Sequence, residues 1–206
     1  AFPIIGPNIG IPELSPNPFE PLRAFLTYPF VIASGKNEPY ASIDELAEYA
    51  KNNDVALGHF GAPLIPTKVT FALAKEKGFS FAADAAFDAL DCNTLASGDV
   101  DVINTTLQLV LPCLDNINVL ASIGETRIGL TPDTPTVGEL NSNLTLSLWN
   151  GLFVHRDTPA DVREKIISVA QETMASDRAK DFMAKTGALV YWQNAKDTNA
   201  RIARDT

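Results

Sequence analysis

Short apolar runs alternate with amphipathic segments along most of the chain. The apolar runs have the length and composition of buried strands and cover 55–58, 79–82, 100–103 and 117–123. Helix signals lie between them: Ser42-Ile-Asp-Glu45 is a capping box, and Lys77-Gly78 is a typical helix end. The pattern predicts helices over about 43–51, 66–77, 84–95 and 107–114. This alternation of strand and helix is typical of a parallel, doubly wound sheet.

The rest of the chain predicts longer elements. Ala24–Ser34 is apolar and extended, and Pro29 marks an edge or a crossing within it. Leu144–Val154 is a strand long enough to run between two lobes. Thr158 and Pro159 open an amphipathic helix. A second helix, a strand and a polar tail follow over 177–185, 188–192 and 194–206.

The connection after the strand Val55–Gly58 has the chemistry of an anion site. The following helix begins around Ile65–Pro66, where the missing N–H of proline costs little. The loop Gly58-His59-Phe60-Gly61-Ala62-Pro63 therefore leads into free N–H groups and the positive end of a helix dipole. Taken alone, this stretch is more simply explained as an ordinary strand-to-helix connection. In doubly wound sheets, however, ligands bind beyond the carboxyl ends of strands, which predicts that loops 58–67, 82–88 and 104–107 line one crevice.

Several polar residues can be interpreted either as ligand-binding residues or as ordinary structural or solvated ones. His59 either hydrogen-bonds a ligand or is solvent-facing or structurally satisfied. Asp84 and Asp88 share one face near a predicted helix start, where they either hold a ligand amine or are ordinarily solvated. His155 is predicted on a solvated turn. The sequence contains no nucleophile elbow, phosphate-binding loop or HExxH motif, and we expect neither enzyme activity nor a cofactor.

Composition narrows the classes of partner. The formal net charge of the 206 residues is −9 and no basic run is interleaved with aromatics, so neither nucleic acid nor an anionic membrane is an expected partner. No apolar run approaches the roughly 20 residues of a membrane-spanning helix. The opening AFPIIGPNIGIP lacks a basic region and is broken by Pro and Gly, so we do not expect it to be a signal peptide.

The two cysteines, Cys92 and Cys113, match neither a metal-ligand spacing nor a CxxC redox spacing. They are either buried free thiols or one disulfide formed in an oxidising compartment. The Cα separation that decides between these alternatives does not follow from sequence.

Five segments match one family pattern in the right order and over nearly the whole chain. Asn17–Phe25 is similar to DPxKDFTP, Ser42–Lys51 to SVxELIAxAKANP, and Leu95–Val102 to LLGGQVDV. More specific are Pro132–Glu139 (PDTPTVGE), similar to LPDVPTVAEAG, and Trp149–Pro159 (WNGLFVHRDTP), similar to SWxGLxAPAGTP. Together they resemble the tripartite tricarboxylate transporter substrate-binding proteins, the TctC or Bug family of periplasmic solute receptors.

The resemblance implies a type II periplasmic-binding-protein-like α/β fold, with two lobes joined by crossing strands near Phe30–Ser34 and Leu146–Leu152. Residues 35–145 would form a complete lobe, and residues 1–34 with 146–206 a partial one. The implied function is non-enzymatic: lobe closure captures a small carboxylate-bearing organic solute, or an amino-acid-like one, for a tripartite tricarboxylate-type transporter. The implied location is periplasmic or extracytoplasmic, and the implied partners are membrane transporter subunits.

Carried onto this sequence, the resemblance places the carboxylate against backbone N–H groups of Gly61–Thr67. Side chains of Thr67, Asn104 and Thr105 would lie beside it. Trp149 would be either an aromatic wall near a crossing or a packed hinge residue. The predicted ligand-binding residues are His59, Phe60, Gly61, Ala62, Pro63, Thr67, Asp84, Asp88, Asn104, Thr105 and Trp149.

The chain also departs from the family pattern. The family's YKG, FDN and small Ser/Gly-rich stretches are replaced by Ala85–Phe87, Asn104–Thr106 and His59–Pro63. Phe60 and Phe87 favour a more apolar solute than citrate.

Members of the family carry an N-terminal segment that does not precede Ala1 in this sequence. Its absence from this sequence suggests an alternative function. That segment supplies part of the ligand's backbone donors in the family. The alternative is a truncated interaction module or a sensor co-receptor that binds no ligand of its own. Such a module would form a homo-oligomer that covers the incomplete lobe.

Overall fold

The computed structural model describes residues 16–146 and 148–205. The opening segment AFPIIGPNIGIP lies outside the described residues. Within them, residues 16–28 and 149–205 form one compact unit, and Pro29–Leu148 forms another.

Strands and helices alternate through most of the described chain. The strands are β1 (Phe19–Thr27), β2 (Phe30–Gly35), β3 (Ala56–His59), β4 (Ala83–Ala86), β5 (Val102–Thr106), β6 (Ile117–Ile123), β7 (Trp149–His155) and β8 (Leu189–Gln193). The α-helices are α1 (Ile43–Tyr49), α2 (Ile65–Glu76), α3 (Cys92–Ser97), α4 (Leu107–Val110), α5 (Val137–Leu140), α6 (Ala160–Ala175), α7 (Asp177–Thr186) and α8 (Ala195–Asp205). Short 3-10 helices cover Leu111–Asn116 and Ser142–Leu144. None of the helices in this described part combines the length and hydropathy that crossing a bilayer requires.

The unit Pro29–Leu148 is built on a five-stranded sheet in the order β4-β3-β5-β2-β6. Strand β3 pairs in parallel with β4 and β5, whereas β2 pairs antiparallel with β5 and β6. The predicted parallel pairing is therefore present among β4, β3 and β5, but it does not extend to β2. Because β2 inserts between β5 and β6 in the opposite direction, the sheet is mixed, and β3, β4 and β5 still end at one edge.

Two apolar clusters cover the two faces of this sheet. One contains Leu57 and Val102 of the strands together with Val69 and Leu73 of α2. The other contains Ile103, Leu90 and other buried residues. Helix α1 begins as predicted, because the Ser42 hydroxyl accepts from the Glu45 N–H while the Glu45 carboxylate accepts from the Ala41 N–H.

The segment 79–95 differs from its prediction. Phe79 and Phe81 pack edge-on against each other, and Phe81 packs against Phe71, so the strand forms later, at Ala83–Ala86. The predicted helix over 84–95 is shortened to α3 because Asp91 caps it through the N–H groups of residues 93 and 94.

Cys92 and Cys113 form a disulfide, with Cα atoms 5.9 Å apart. The bond joins the start of α3 to the 3-10 helix Leu111–Asn116. It closes a loop with a sequence separation of 21 residues, and this loop contains β5. The alternative of two free thiols is therefore excluded.

The smaller unit has a three-stranded antiparallel sheet in the order β7-β1-β8. The Thr198 hydroxyl of α8 accepts from the Ala24 N–H, and Arg163 of α6 pairs with Glu20 of β1. Helix α6 begins one residue later than predicted, because Pro159 occupies the N-cap position in an extended conformation. The strand predicted from Leu144 begins at Trp149, because residues 142–144 form a 3-10 turn.

Removing the disulfide should lower the stability of the protein. For a loop of this length, the chain-entropy model gives about 3 kcal/mol. We expect the Cys92→Ser/Cys113→Ser double variant to lose about 2–4 kcal/mol of unfolding free energy in urea titrations. A reducing agent should destabilise the unsubstituted protein similarly and leave the double variant unchanged. Equal stability of all forms would contradict this expectation.

Candidate functional site

The candidate site is built on the connection between β3 and α2. Strand β3 ends at His59, and α2 begins at Ile65 with Pro66 in its first turn, as predicted. Leu64 is the N-cap residue, and no side chain among the described residues caps the helix. Since Pro66 has no N–H, the donors that this terminus offers are the N–H groups of Ile65 and Thr67. An anion is favoured there by these donors and by the helix dipole.

The connecting loop turns sharply before the helix. Gly61 has φ +150°, a conformation that side-chain-bearing residues rarely adopt, and its carbonyl accepts from the Leu64 N–H at 3.1 Å. Ala62 and Pro63 are exposed. The residues Leu64 and Ile65 are 37% and 40% exposed, so an apolar rim borders the helix N-terminus.

Three buried polar atoms near this terminus have no hydrogen-bond partner among the described residues. They are His59 Nδ1, Thr67 Oγ1 and Asn104 Nδ2. His59 is 2% exposed, and Thr67 and Asn104 are each 1% exposed. Because a buried polar group without a partner costs about 1–3 kcal/mol, three of them in one region need a physical explanation.

Strand register and the packing of α2 place these three side chains on one side of the sheet. Gly58 pairs with Ile103, so His59 and Asn104 occupy the next position on the adjacent parallel strands β3 and β5. By the alternation of a strand, both share the face of Leu57 and Val102. These two residues pack in one cluster with apolar residues of α2, the helix that carries Thr67. The unpartnered atoms and the helix N-terminus therefore lie at the same edge of the sheet.

Asp84 lies beside the candidate site through its contact with His59, but not in the helix that the sequence predicted. It lies on β4 rather than on a helix, and its Oδ2 is 2.8 Å from His59 Nε2. The Asp84 side chain is 46% exposed. Asp88 follows the strand and is exposed, so the predicted shared helix face of Asp84 and Asp88 does not exist. The reason is the shift of the strand to Ala83–Ala86.

The remaining predicted residues have defined packing roles. Thr105 is the last but one residue of β5, and its hydroxyl donates to the Leu90 carbonyl at 2.6 Å, on the face opposite Asn104. The ring of Phe60 packs edge-on against Phe30 at 6.4 Å. Asn104 and Thr105 therefore lie within a strand, not in the loop predicted after it.

Trp149 belongs to the other unit, where it begins β7. The Arg201 guanidinium lies over its ring, 5.3 Å from the ring centroid. His155 ends the same strand and is exposed, with Asp157 3.5 Å from its Nδ1. His155 is therefore exposed as predicted, but it ends a strand, and the turn begins at Arg156.

A second polar group, which sequence reasoning missed, lies where β2 leads into α1. Burial raises the pKa of the Tyr40 phenol far above its ordinary value, and the charges of Glu38 and Asp101 add to this. Burial and Asp101 also raise the pKa of Glu38. The Asp101 carboxylate accepts from the Ala56 N–H at 2.7 Å, so it is used to join strands. A groove of about 520 Å³ runs beside Glu38 and the disulfide, but the unpartnered atoms of the candidate site do not line it.

No group of three or more potential metal ligands occurs within residues 16–146 and 148–205. The chemistry of the candidate site is thus that of hydrogen-bond donors and acceptors beside a helix N-terminus.

A model of one known protein family matches most of this chain. The family model described as "Tripartite tricarboxylate transporter family receptor" matches residues 11–206. A curated relative from Agrobacterium vitis, a UPF0065 protein in the TAR-I ttuE-ttuC' intergenic region, is 37% identical over 92 residues. That match covers 44% of this chain and 26% of the relative.

Solved structures share the fold. The periplasmic binding protein BugD superposes with a TM-score of 0.78 at 23% identity, over 90% of this chain and 65% of that one. MatC from Rhodopseudomonas palustris with bound malate has a TM-score of 0.70 at 21% identity, over 84% of this chain and 60% of that one. The mixed α/β fold of this chain matches that of periplasmic binding proteins. The chain spans 60–65% of the length of these solved relatives, which is less than two thirds.

Thr67 and Thr70 offer a matched test of the unpartnered hydroxyl. Both are buried in α2, but the Thr70 hydroxyl donates to the Pro66 carbonyl at 2.9 Å, whereas the Thr67 hydroxyl has no partner among the described residues. We expect Thr67→Val to be neutral or to stabilise the ligand-free protein by up to about 1 kcal/mol. Thr70→Val should destabilise it by about 1 kcal/mol. Urea titrations measure both, and a larger loss for Thr67→Val would contradict the assignment.

Proposed function

Because the chain belongs to the tripartite tricarboxylate transporter receptor family, we propose that it captures a small organic carboxylate at the N-terminus of α2 and supplies it to a transporter. The observation that carries this proposal is the set of three unpartnered buried polar atoms beside an uncapped helix. A soluble receptor needs such groups to be open before the ligand arrives. Their desolvation penalty is then recovered when the ligand binds.

A carboxylate fits the chemistry of these groups. The N–H groups of Ile65 and Thr67 donate to the carboxylate oxygens of the solute. Asn104 Nδ2 and the Thr67 hydroxyl supply further donors. The positive end of the helix dipole adds a favourable field even though the whole chain carries a net charge of −9. The apolar rim of Leu64 and Ile65 suits the carbon skeleton of an organic acid.

Relatives support the solute class. One solved relative of this fold contains malate, a dicarboxylate. The curated and solved relatives that match are longer than this chain, so the solute, its full set of contacts and the transporter partner are parts of the proposal. Binding without chemical conversion agrees with the matched family and its solute-binding relatives.

The proposed location is extracytoplasmic. The disulfide between Cys92 and Cys113 supports an oxidising compartment, because cytosolic thiols are kept reduced. BugD, a relative of the same fold, is described as a periplasmic binding protein.

Carboxylate binding can be tested with a panel of solutes and a substitution of Asn104. We expect one or more members of a panel of mono-, di- and tricarboxylates to raise the Tm of the full-length protein, with stabilisation of about 2.7 kcal/mol at a concentration 100 times Kd. Asn104→Leu removes the Nδ2 donor and should weaken the best ligand about tenfold in isothermal titration.

The matched control is Asn53→Leu. Asn53 is exposed and donates to the Tyr49 carbonyl, and it precedes the start of β3, whereas the candidate site lies at the end of that strand. It should leave Kd unchanged. A folded full-length protein that responds to no member of the panel would overturn the receptor proposal and favour an interaction module without ligand binding.

A further inference from the structure

At the candidate site, the buried His59 side chain contacts the partly exposed Asp84 carboxylate. His59 Nε2 lies 2.8 Å from Asp84 Oδ2, and the His59 side chain is 3% exposed. The Phe71 ring meets the imidazole edge-on at 6.3 Å. The imidazole is therefore held on one side by a carboxylate and packed by an aromatic ring on another, and its Nδ1 has no partner among the described residues.

Asp84 determines which ring nitrogen carries the proton. A carboxylate has no proton to donate, so the short contact requires an N–H at Nε2. A neutral imidazole has one ring proton, and Nδ1 is then a bare lone pair. Asp84 is thus a positioning residue: it turns His59 Nδ1 into a buried acceptor.

An acceptor is the opposite of what a carboxylate needs. The helix N–H groups and Asn104 Nδ2 are donors, and they suit carboxylate oxygens. A lone pair beside them would repel a second carboxylate oxygen but would accept from a hydroxyl or an ammonium group. Gly58 pairs with Ile103, so the next residues, His59 and Asn104, are neighbours in the sheet. The acceptor His59 Nδ1 and the donor Asn104 Nδ2 therefore belong to adjacent residues.

We infer that this site selects carboxylates that also carry a hydroxyl or ammonium donor close to the carboxylate, and that His59 Nδ1 accepts from that donor. The inference rests on the proposed carboxylate-binding function and specifies its solute class. Simple carboxylates without such a donor leave Nδ1 unpaired and should bind more weakly, because an unpaired buried acceptor discriminates strongly between ligands.

Pairs of solutes that differ by one hydroxyl test the inference. Isothermal titration of the full-length protein at pH 8 would compare malate with succinate and lactate with propionate. We expect the hydroxy acid of at least one pair to bind about tenfold more tightly than its partner. Equal binding within both pairs would overturn the inference while leaving carboxylate binding established. No binding of any carboxylate would instead overturn the proposed function.

Variants of the pair separate a chemical role from a structural one. His59→Phe keeps a planar ring without nitrogens, and the preference for the hydroxy acid should collapse to about one. Asp84→Asn lets the ring proton move to Nδ1 and should also reduce the preference, whereas Asp84→Glu, which restores an acceptor-only partner, should retain part of it. Because Asp84 is half exposed, the two Asp84 variants remain informative if His59→Phe fails to fold.

The second histidine provides the matched control. His155 also has an aspartate neighbour, Asp157, but it is exposed and lies in the other unit. His155→Gln should leave the affinity for every solute and the preference unchanged. A preference that persists in folded His59→Phe and Asp84→Asn variants would overturn the assignment to Nδ1.

Discussion

The close approach of β3 to its neighbours at Gly58 is the constraint on which the candidate site depends. A Cβ atom at this position would lie 2.9 Å from Leu90 Cδ2 and 3.1 Å from Val100 Cγ2, both buried side chains. The missing side chain lets Leu90 fill the space, and the Leu90 carbonyl in turn holds the Thr105 hydroxyl. With this register fixed, His59 and Asn104 come to adjacent positions on the opposite face. A larger residue would shift β3 and separate them.

Local signals in the sequence were sufficient for most elements. The capping box at Ser42, the proline in the first turn of α2 and the apolar runs of β3 and β6 predicted these elements because each signal is contained within a few residues. The direction of β2 and the shift of the strand to Ala83–Ala86 depend on distant partners. Phe79 and Phe81 have strand-like composition, but they are used in aromatic packing, which the sequence pattern does not distinguish from strand pairing.

The same division applies to the site. Its position at the carboxyl ends of parallel strands followed from topology, and the anion-favouring end of α2 followed from Pro66. The sequence does not predict which polar atoms have hydrogen-bond partners. Alternation along β5 places Asn104 and Thr105 on opposite faces of the sheet, but it does not indicate which face offers a partner. Thr105 is engaged with the Leu90 carbonyl and Asn104 Nδ2 is unpartnered, a difference that only tertiary contacts determine. The His59–Asp84 pair likewise required the pairing of β3 with β4.

The disulfide has a consequence for motion within the larger sheet. It closes a covalent loop that includes β5, the strand that carries Asn104, and β5 also pairs on both sides, with β3 and β2. Strand β4, which carries Asp84, has four exposed residues and pairs only with β3 within the described residues. Local opening should therefore involve β4 far more readily than β5. In the proposed site, we therefore expect the part that contains Asn104 to be rigid and the part that contains Asp84 to move more easily.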